Sequence, residues 1–142
     1  MQRIVKCNSG DYATLTAIWE RSVRATHDFL DEDTISEIKA ALEPHYFPNV
    51  ELYAVSHNGC LTGFIGLRDD TIEMLFVDGH SRGQGYGSSL IEFAIHRGAT
   101  KVDVNEQNPR ALAFYQSKGF KITARDAADD AGRPYPILHL SL

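Results

Sequence analysis

Residues 50–78 limit the fold most narrowly, because their apolar residues recur with the period of β-strands. The segment VELYAVSHNGCLTGFIGLRDDTIEMLFVD contains three apolar runs. Asn58-Gly59, between the first two runs, is a strong signal for a tight hairpin turn, and Asp69-Asp70 marks a second turn. The pattern predicts an antiparallel meander of three strands in the middle of the chain.

Helical periodicity precedes the meander. The segment RIVKC suits a first strand, and apolar residues then recur at helical spacing from residue 9 or 11 to about residue 26. A second helix is predicted from about Asp31 to Leu42, ending near Pro44. Two helices therefore separate the first strand from the meander.

Helices and strands alternate after the meander. A third helix is predicted from about Gly85 to Arg97, and TKVDVNE follows as a strand. Asn108-Pro109 supplies a cap and a first-turn proline for a fourth helix, which runs to Gly119. The segments FKITARD and YPILHLSL are the closing strands. This order predicts the α+β class.

Size, charge and cysteine content exclude several classes of protein. At 142 residues, the chain is expected to form one domain spanning residues 1–142. Its 19 acidic and 14 basic residues give a net negative charge, which disfavours the binding of nucleic acid and would attract cationic amines. No segment is apolar enough for a membrane span, and two distant cysteines form no disulfide framework, so a cytoplasmic protein is predicted.

The glycine cluster SRGQGYGSSL, residues 81–90, lies between a predicted strand and a predicted helix. Glycines there allow an anion to contact the unpaired N–H groups of the helix N-terminus, and Arg82 would add a positive charge. The cluster lacks the Gly-Lys-Ser/Thr ending of a triphosphate-binding loop, and Gly83, Gly85 and Gly87 do not fit a dinucleotide fingerprint. The alternative is a loop whose glycines serve only its turns.

Two motifs identify a family resemblance. Arg82, Gly85 and Gly87 form an Arg-x-x-Gly-x-Gly pattern after MLFVDGHS, and NPRALAFYQSKGF follows at residues 108–120. Together they resemble the signatures of the GNAT family, the Gcn5-related N-acetyltransferases. The resemblance implies a single GNAT-like domain, with a mixed, mostly antiparallel, twisted sheet of about seven strands and four flanking helices. Gly79 and Ser81 depart from the family pattern, which often has a proline and a bulky residue there.

The resemblance also implies how acetyl-CoA would bind as the acyl donor. In the family, the glycine loop holds the pyrophosphate, the Asn that opens the following helix lies near the pantetheine, and a strand amide holds the thioester carbonyl. The matching amide here is that of Leu75. The matching contacts of the donor are Val77, Arg82, Gly83, Gly85, Tyr86, Gly87, Ser88 and Asn108.

Further catalytic candidates each have a plainer interpretation. By the resemblance, Tyr115 would protonate the departing thiolate, although buried aromatic residues more often only pack. Glu73 would lie on the same strand face as Leu75 and act as general base through water, or be a solvated charge. Asn105 would hold the acetyl group or a water molecule, or would simply be a turn residue before the cap of the next helix.

His27 and Phe29 fall in the region that covers the acceptor in the family. His27 would contact substrate or act as a second base, whereas a lone histidine is more often structural. The histidines show no metal-ligand spacing, so no metal is predicted.

The predicted function is acetyl-CoA-dependent N-acetylation of a primary amine, by direct attack in a ternary complex. The alternative is a non-catalytic module that binds or senses acyl-CoA. The acceptor would be an amine-bearing small molecule or a protein lysine, because fold fixes the donor better than the acceptor. A homodimer is compatible with the sequence, and no nucleic acid or membrane partner is expected.

Overall fold

The computed structural model describes residues 2–81, 83–129 and 131–142, and these contain seven strands and four α-helices. The predicted order of elements is confirmed. Their bounds are β1 Gln2–Lys6, α1 Tyr12–Thr26, α2 Glu32–Ala41, β2 Glu51–His57, β3 Cys60–Arg68, β4 Thr71–Val77, α3 Tyr86–His96, β5 Lys101–Asn105, α4 Pro109–Ser117, β6 Lys121–Asp126 and β7 Ile137–Ser141.

Side-chain caps and special backbone angles fix where these elements begin and end. Asp31 caps α2 by accepting a hydrogen bond from the Thr34 N–H at 2.7 Å. After α2 the chain continues through one π-helical turn, Leu42–Tyr46. At the first hairpin, Asn58 and Gly59 have φ angles of 53° and 83°, the left-handed pair that a two-residue turn requires.

The strands form one sheet in the order β1-β2-β3-β4-β5-β7-β6. Among the described residues, β4 and β5 are the one parallel pair, and the other neighbours are antiparallel. The parallel pairing extends over only Thr71–Lys101 and Ile72–Val102. The sheet therefore opens between β4 and β5 beyond Ile72, and the resulting gap positions the candidate site.

Each face of the sheet carries its own apolar core. Helix α3 and Tyr115 of α4 pack on one face, with Leu90, Ile91 and Ala94 fully buried. Helices α1 and α2 pack on the other face, where Trp19 and Phe47 are buried. Within the described ranges, no helix has both the length and the apolarity for a bilayer crossing.

An ion pair between the half-exposed Arg21 and the largely buried Asp78 holds α1 against the end of β4. Arg21 Nη2 donates to Asp78 Oδ2 at 2.7 Å, and Arg21 Nε contacts both carboxylate oxygens at 3.0 Å. The approach is close, because a methyl group on Gly79 would lie 3.0 Å from the Arg21 carbonyl oxygen and 3.4 Å from Ala25 Cβ. Gly79, which departs from the family pattern, thus lets the helix dock on the loop after β4.

Candidate active site

The gap in the sheet leaves backbone donors of β4 facing an opening. The Asp78 N–H donates to the Thr62 carbonyl at 2.9 Å, and hydrogen bonding to β3 alternates along β4 from there. The N–H groups of Leu75 and Val77 therefore point away from β3, toward the side that β5 has left. Because β4 and β5 pair only at Thr71 and Ile72, the Leu75 N–H faces the opening in the orientation of an oxyanion donor.

The glycine loop presents the N-terminus of α3 to the same opening. Gly83 and Gly85 have φ angles of 81° and 82°, which favour glycine, and Gly85, the N-cap residue of α3, has no side chain with which to cap the helix. A methyl group on Gly87 would lie 3.6 Å from Phe114 and 3.7 Å from Val77. The bare backbone and the positive helix end make this a suitable cradle for a phosphate group.

Arg82, the charged member of the loop motif, lies outside the described residues. Tyr86 is buried, and its ring packs edge-on against His57 at 5.9 Å, so its backbone N–H is the part that can face a ligand. Ser88 follows in the first turn of α3. The predicted donor contacts Gly83, Gly85, Tyr86, Gly87 and Ser88 thus lie together at the N-terminus of α3, with Val77 on β4 and Asn108 at the start of α4.

Two adjoining cavities run along the opening. The loop cavity, of about 230 Å³, lies between Thr26, Val77, Gly87 and Phe114. The strand cavity, of about 110 Å³, continues past Glu73 and Asn105. The residues that line both are His27, Leu75, Phe76, Asn108, Ala111 and Tyr115. The predicted oxyanion donor and the predicted acid therefore meet at the junction of the two cavities.

Tyr115 is held by aromatic packing at this junction. Its ring lies 5.3 Å from that of Phe114 and 5.9 Å from that of Phe120, and only 7% of the residue is exposed. Burial raises the pKa of the Tyr115 hydroxyl above its usual value. The phenol thus keeps its proton throughout the neutral pH range.

His27 and Asn108 join α1 to α4 across the opening. The Thr26 hydroxyl donates to the Ser22 carbonyl at 2.8 Å, so it accepts from His27 Nδ1–H at 2.7 Å. Asn108 Oδ1 accepts from the Ala111 N–H, which turns its Nδ2 toward His27 Nε2 at 3.3 Å. This network assigns the proton to Nδ1 and leaves Nε2 as an acceptor.

Glu73 does not lie where strict alternation places it. The register passes from Leu67–Ile72 to Gly66–Met74, so Glu73 is an extra residue in a β-bulge. The prediction that it shares the strand face of Leu75 and Val77 is wrong, since the bulge turns its carboxylate toward Arg68, 3.4 Å away.

Asn105 and Phe29 have local contacts as well as proximity to the site. Asn105 lines the strand cavity, while its Oδ1 accepts from the Gln107 N–H at 2.9 Å in a tight turn. The ring of Phe29 packs on His27 at 5.4 Å and on Tyr135 at 6.0 Å. Phe29 thus supports His27 from the side of the β6–β7 loop.

A third cavity, which the sequence did not reveal, lies between α2 and β4. This α2 cavity measures about 470 Å³ and shares Glu73, Met74 and Phe76 with the strand cavity. Its apolar wall includes Trp19, Ile38, Leu42 and Val50, and Arg68 and Arg133 lie at its polar edge. Helix α2, β4 and the β6–β7 loop meet only in the folded chain, and the one sequence signal was the apolar face of α2.

Comparison with known proteins agrees with this geometry. The family model described as "Acetyltransferase (GNAT) domain" matches residues 19–134. The peptidyl-lysine N-acetyltransferase YjaB of Salmonella typhimurium is 42% identical over 128 residues, covering 89% of this chain and 88% of YjaB.

Solved structures show the same fold. The solution structure of apo YjaB from Escherichia coli has a TM-score of 0.91 at 36% identity, with 99% of this chain and 97% of that chain covered. A PaiA N-acetyltransferase from Thermoplasma acidophilum, solved in complex with coenzyme A, has a TM-score of 0.73 at 18% identity, covering 100% and 99%.

The fold and the gap between β4 and β5 are those of an acyltransferase of the GNAT class. The chain belongs to the GNAT acetyltransferase family and is an N-acetyltransferase. The predicted family, fold class and enzyme activity are thereby confirmed.

Proposed function

We propose that this enzyme transfers an acetyl group from acetyl-CoA to the side-chain amine of a peptidyl lysine, by direct attack in a ternary complex. The observation that carries the proposal is the gap between β4 and β5, where the Leu75 N–H and Tyr115 border the same junction of cavities. The YjaB proteins, named as peptidyl-lysine N-acetyltransferases, support the choice of acceptor.

The loop cavity suits the acyl donor. The uncapped N-terminus of α3 would bind the pyrophosphate through backbone N–H groups, with Gly83, Gly85 and Gly87 permitting close approach. Val77 and Asn108, which line the loop cavity, would contact the pantetheine. The donor would supply the activated acyl group, and the chain would supply its alignment.

Leu75 and Tyr115 would act at opposite ends of the reacting bond. The Leu75 N–H donates to the carbonyl oxygen as negative charge develops on it, an interaction whose loss typically costs about 10²–10³ in rate. Tyr115 Oη would give its proton to the departing sulfur. The raised pKa of Tyr115 ensures that this proton is present at neutral pH.

The α2 cavity suits a lysine acceptor. Its apolar wall can cover an aliphatic stem, and Glu73, where it adjoins the strand cavity, places a carboxylate beside the incoming ammonium group. The net charge of −5 favours the approach of a cationic amine. The role of Glu73 in this scheme is to attract the acceptor.

The cysteines favour direct attack over an acyl-cysteine intermediate. Burial, aided by Asp11, raises the pKa of the Cys7 thiol to about 11, so it stays protonated and unreactive. Cys60 begins β3 at the first hairpin and lines none of the three cavities described above.

Thiol release and mass spectrometry of a lysine peptide test the proposal. Wild-type protein should release coenzyme A only when the peptide is present, and Tyr115→Phe should lower kcat by about 10²-fold or more. Coenzyme A binding by the variant, measured by calorimetry, should stay within a few-fold of wild type. Binding of coenzyme A without acetylation of any amine would instead support the acyl-CoA-sensing alternative.

A further inference from the structure

The proton that the amine loses needs an acceptor at the junction of the cavities. Among the described residues that line both the loop cavity and the strand cavity, only His27 and Tyr115 titrate. Tyr115 is held in its protonated form by burial and therefore serves as the acid. His27 is left as the basic group at the place where acyl transfer would occur.

The hydrogen bonds of His27 prepare it for this task. Thr26 fixes the proton on Nδ1, so the lone pair of Nε2 faces Asn108 and the opening. The 3.3 Å contact from Asn108 Nδ2 is long for a hydrogen bond, so the N–H of an incoming amine can displace it from the one lone pair of Nε2. Rings of Phe29 and Phe76, at 5.4 and 6.4 Å, hold the imidazole in place.

Glu73 is less well placed for the same role. The bulge turns its carboxylate toward Arg68, with which it forms an ion pair at 3.4 Å. It lines the strand and α2 cavities but not the loop cavity, where the thioester would arrive. Its position suits the attraction of an ammonium group and not the chemical step.

We infer that His27 is a catalytic residue whose Nε2 accepts the proton that the amine nitrogen releases as the nitrogen–carbon bond forms. This inference rests on the proposed function. The neutral amine attacks the thioester carbon, the nitrogen passes a proton to Nε2, and the carbon–sulfur bond breaks. The sulfur takes the Tyr115 proton, and the imidazolium returns one proton to the phenolate through solvent, so charges and atoms balance.

Several charged groups lie around His27 and the two cavities that it lines. Asp28 follows it in the chain, Glu73 and Asp103 face the strand cavity from β4 and β5, and Arg110 faces the loop cavity from α4. Burial lowers the pKa of His27, and the charge of Asp28 offsets this only in part. The imidazole is therefore neutral at pH 7 and able to accept a proton.

The pH dependence of kcat/KM with a lysine peptide tests the assignment. A lysine amine has a pKa of about 10.4, so deprotonation of the acceptor alone gives log(kcat/KM) a slope of about 1 below pH 10. Protonation of His27 adds a second unit of slope below its own pKa. We expect the wild type to show this steeper region and His27→Gln to keep a slope of about 1 throughout, with kcat lowered about 10²-fold.

Three controls make the test specific. His27→Ala should regain activity when imidazole is added, which a purely structural role would not allow. Glu73→Gln should keep the steep region, and the exposed His96→Gln should match the wild type. If His27→Gln keeps both the rate and the steep region, or if Glu73→Gln loses that region, the assignment is wrong. Failure of the wild type to acetylate any lysine contradicts the proposed function instead.

Discussion

Replacing Gly87 with alanine should affect stability and donor binding in opposite directions. The new methyl group would lie 3.6 Å from Phe114 and 3.7 Å from Val77, which are ordinary van der Waals distances. Gly87 lies in the first turn of α3, where alanine is favoured over glycine by up to about 1 kcal/mol. The apo protein should therefore keep or raise its melting temperature, by about 1–3 °C.

The same methyl group would occupy the wall of the loop cavity. Overpacking by one methyl group costs about 1–3 kcal/mol where the site cannot relax, so coenzyme A should bind about 5- to 150-fold more weakly. Circular dichroism melting without ligand and calorimetry with coenzyme A measure the two effects. A Gly87→Ala protein that melts earlier, or binds coenzyme A as the wild type does, would refute the reasoning.

Gly85 and Gly59 supply a matched pair of controls. They have φ angles of 82° and 83°, and an added methyl group would meet no atom within 4 Å at either position. Alanine should cost about 1–2 kcal/mol at each, because the left-handed backbone is strained for a side chain. Only Gly85→Ala should also weaken coenzyme A binding, since Gly59 lies in the first hairpin.

Two further predictions concern stability. Hydrogen bonds to Asp126 and Asp103, both at 2.6 Å, raise the pKa of His139. These bonds therefore stabilise the folded protein fully below the unfolded pKa of about 6.5, and the stabilisation is lost as pH rises through the folded pKa. Urea unfolding should show this loss in the wild type and not in His139→Gln. Gly79→Ala should lower the unfolding free energy by about 1–3 kcal/mol in the same assay, because its methyl group meets the Arg21 carbonyl at 3.0 Å.

Local sequence signals predicted most of the fold because each acts over a few residues. The turn at Asn58 and Gly59 follows from backbone sterics alone, and the caps at Asp31 and Asn108 follow from side-chain oxygens that accept helix N–H groups. None of these features depends on distant parts of the chain.

The missed features depend on tertiary contacts. The assumption of strict alternation placed Glu73 on the wrong face of β4. A bulge depends on how β4 pairs with β3, and no residue type in the sequence predicts it. The α2 cavity joins α2, β4 and Arg133 of the β6–β7 loop, and the His27–Asn108 contact spans 81 positions of sequence. Such juxtapositions follow from packing and not from periodicity.

The irregular course of β4 separates the two halves of the proposed reaction. Divergence from β5 beyond Ile72 leaves the Leu75 N–H facing the opening and not a neighbouring strand, on the side where the donor would lie. The bulge at Glu73 shifts the alternation by one residue, which sends this carboxylate to the opposite face, toward the α2 cavity. In a regular strand paired along its whole length, the Leu75 N–H would be hydrogen-bonded to β5, and Glu73 would lie on the same face as Val77. Both departures from regular pairing are therefore required if the amine is to reach the thioester carbon from the side opposite to the bound donor.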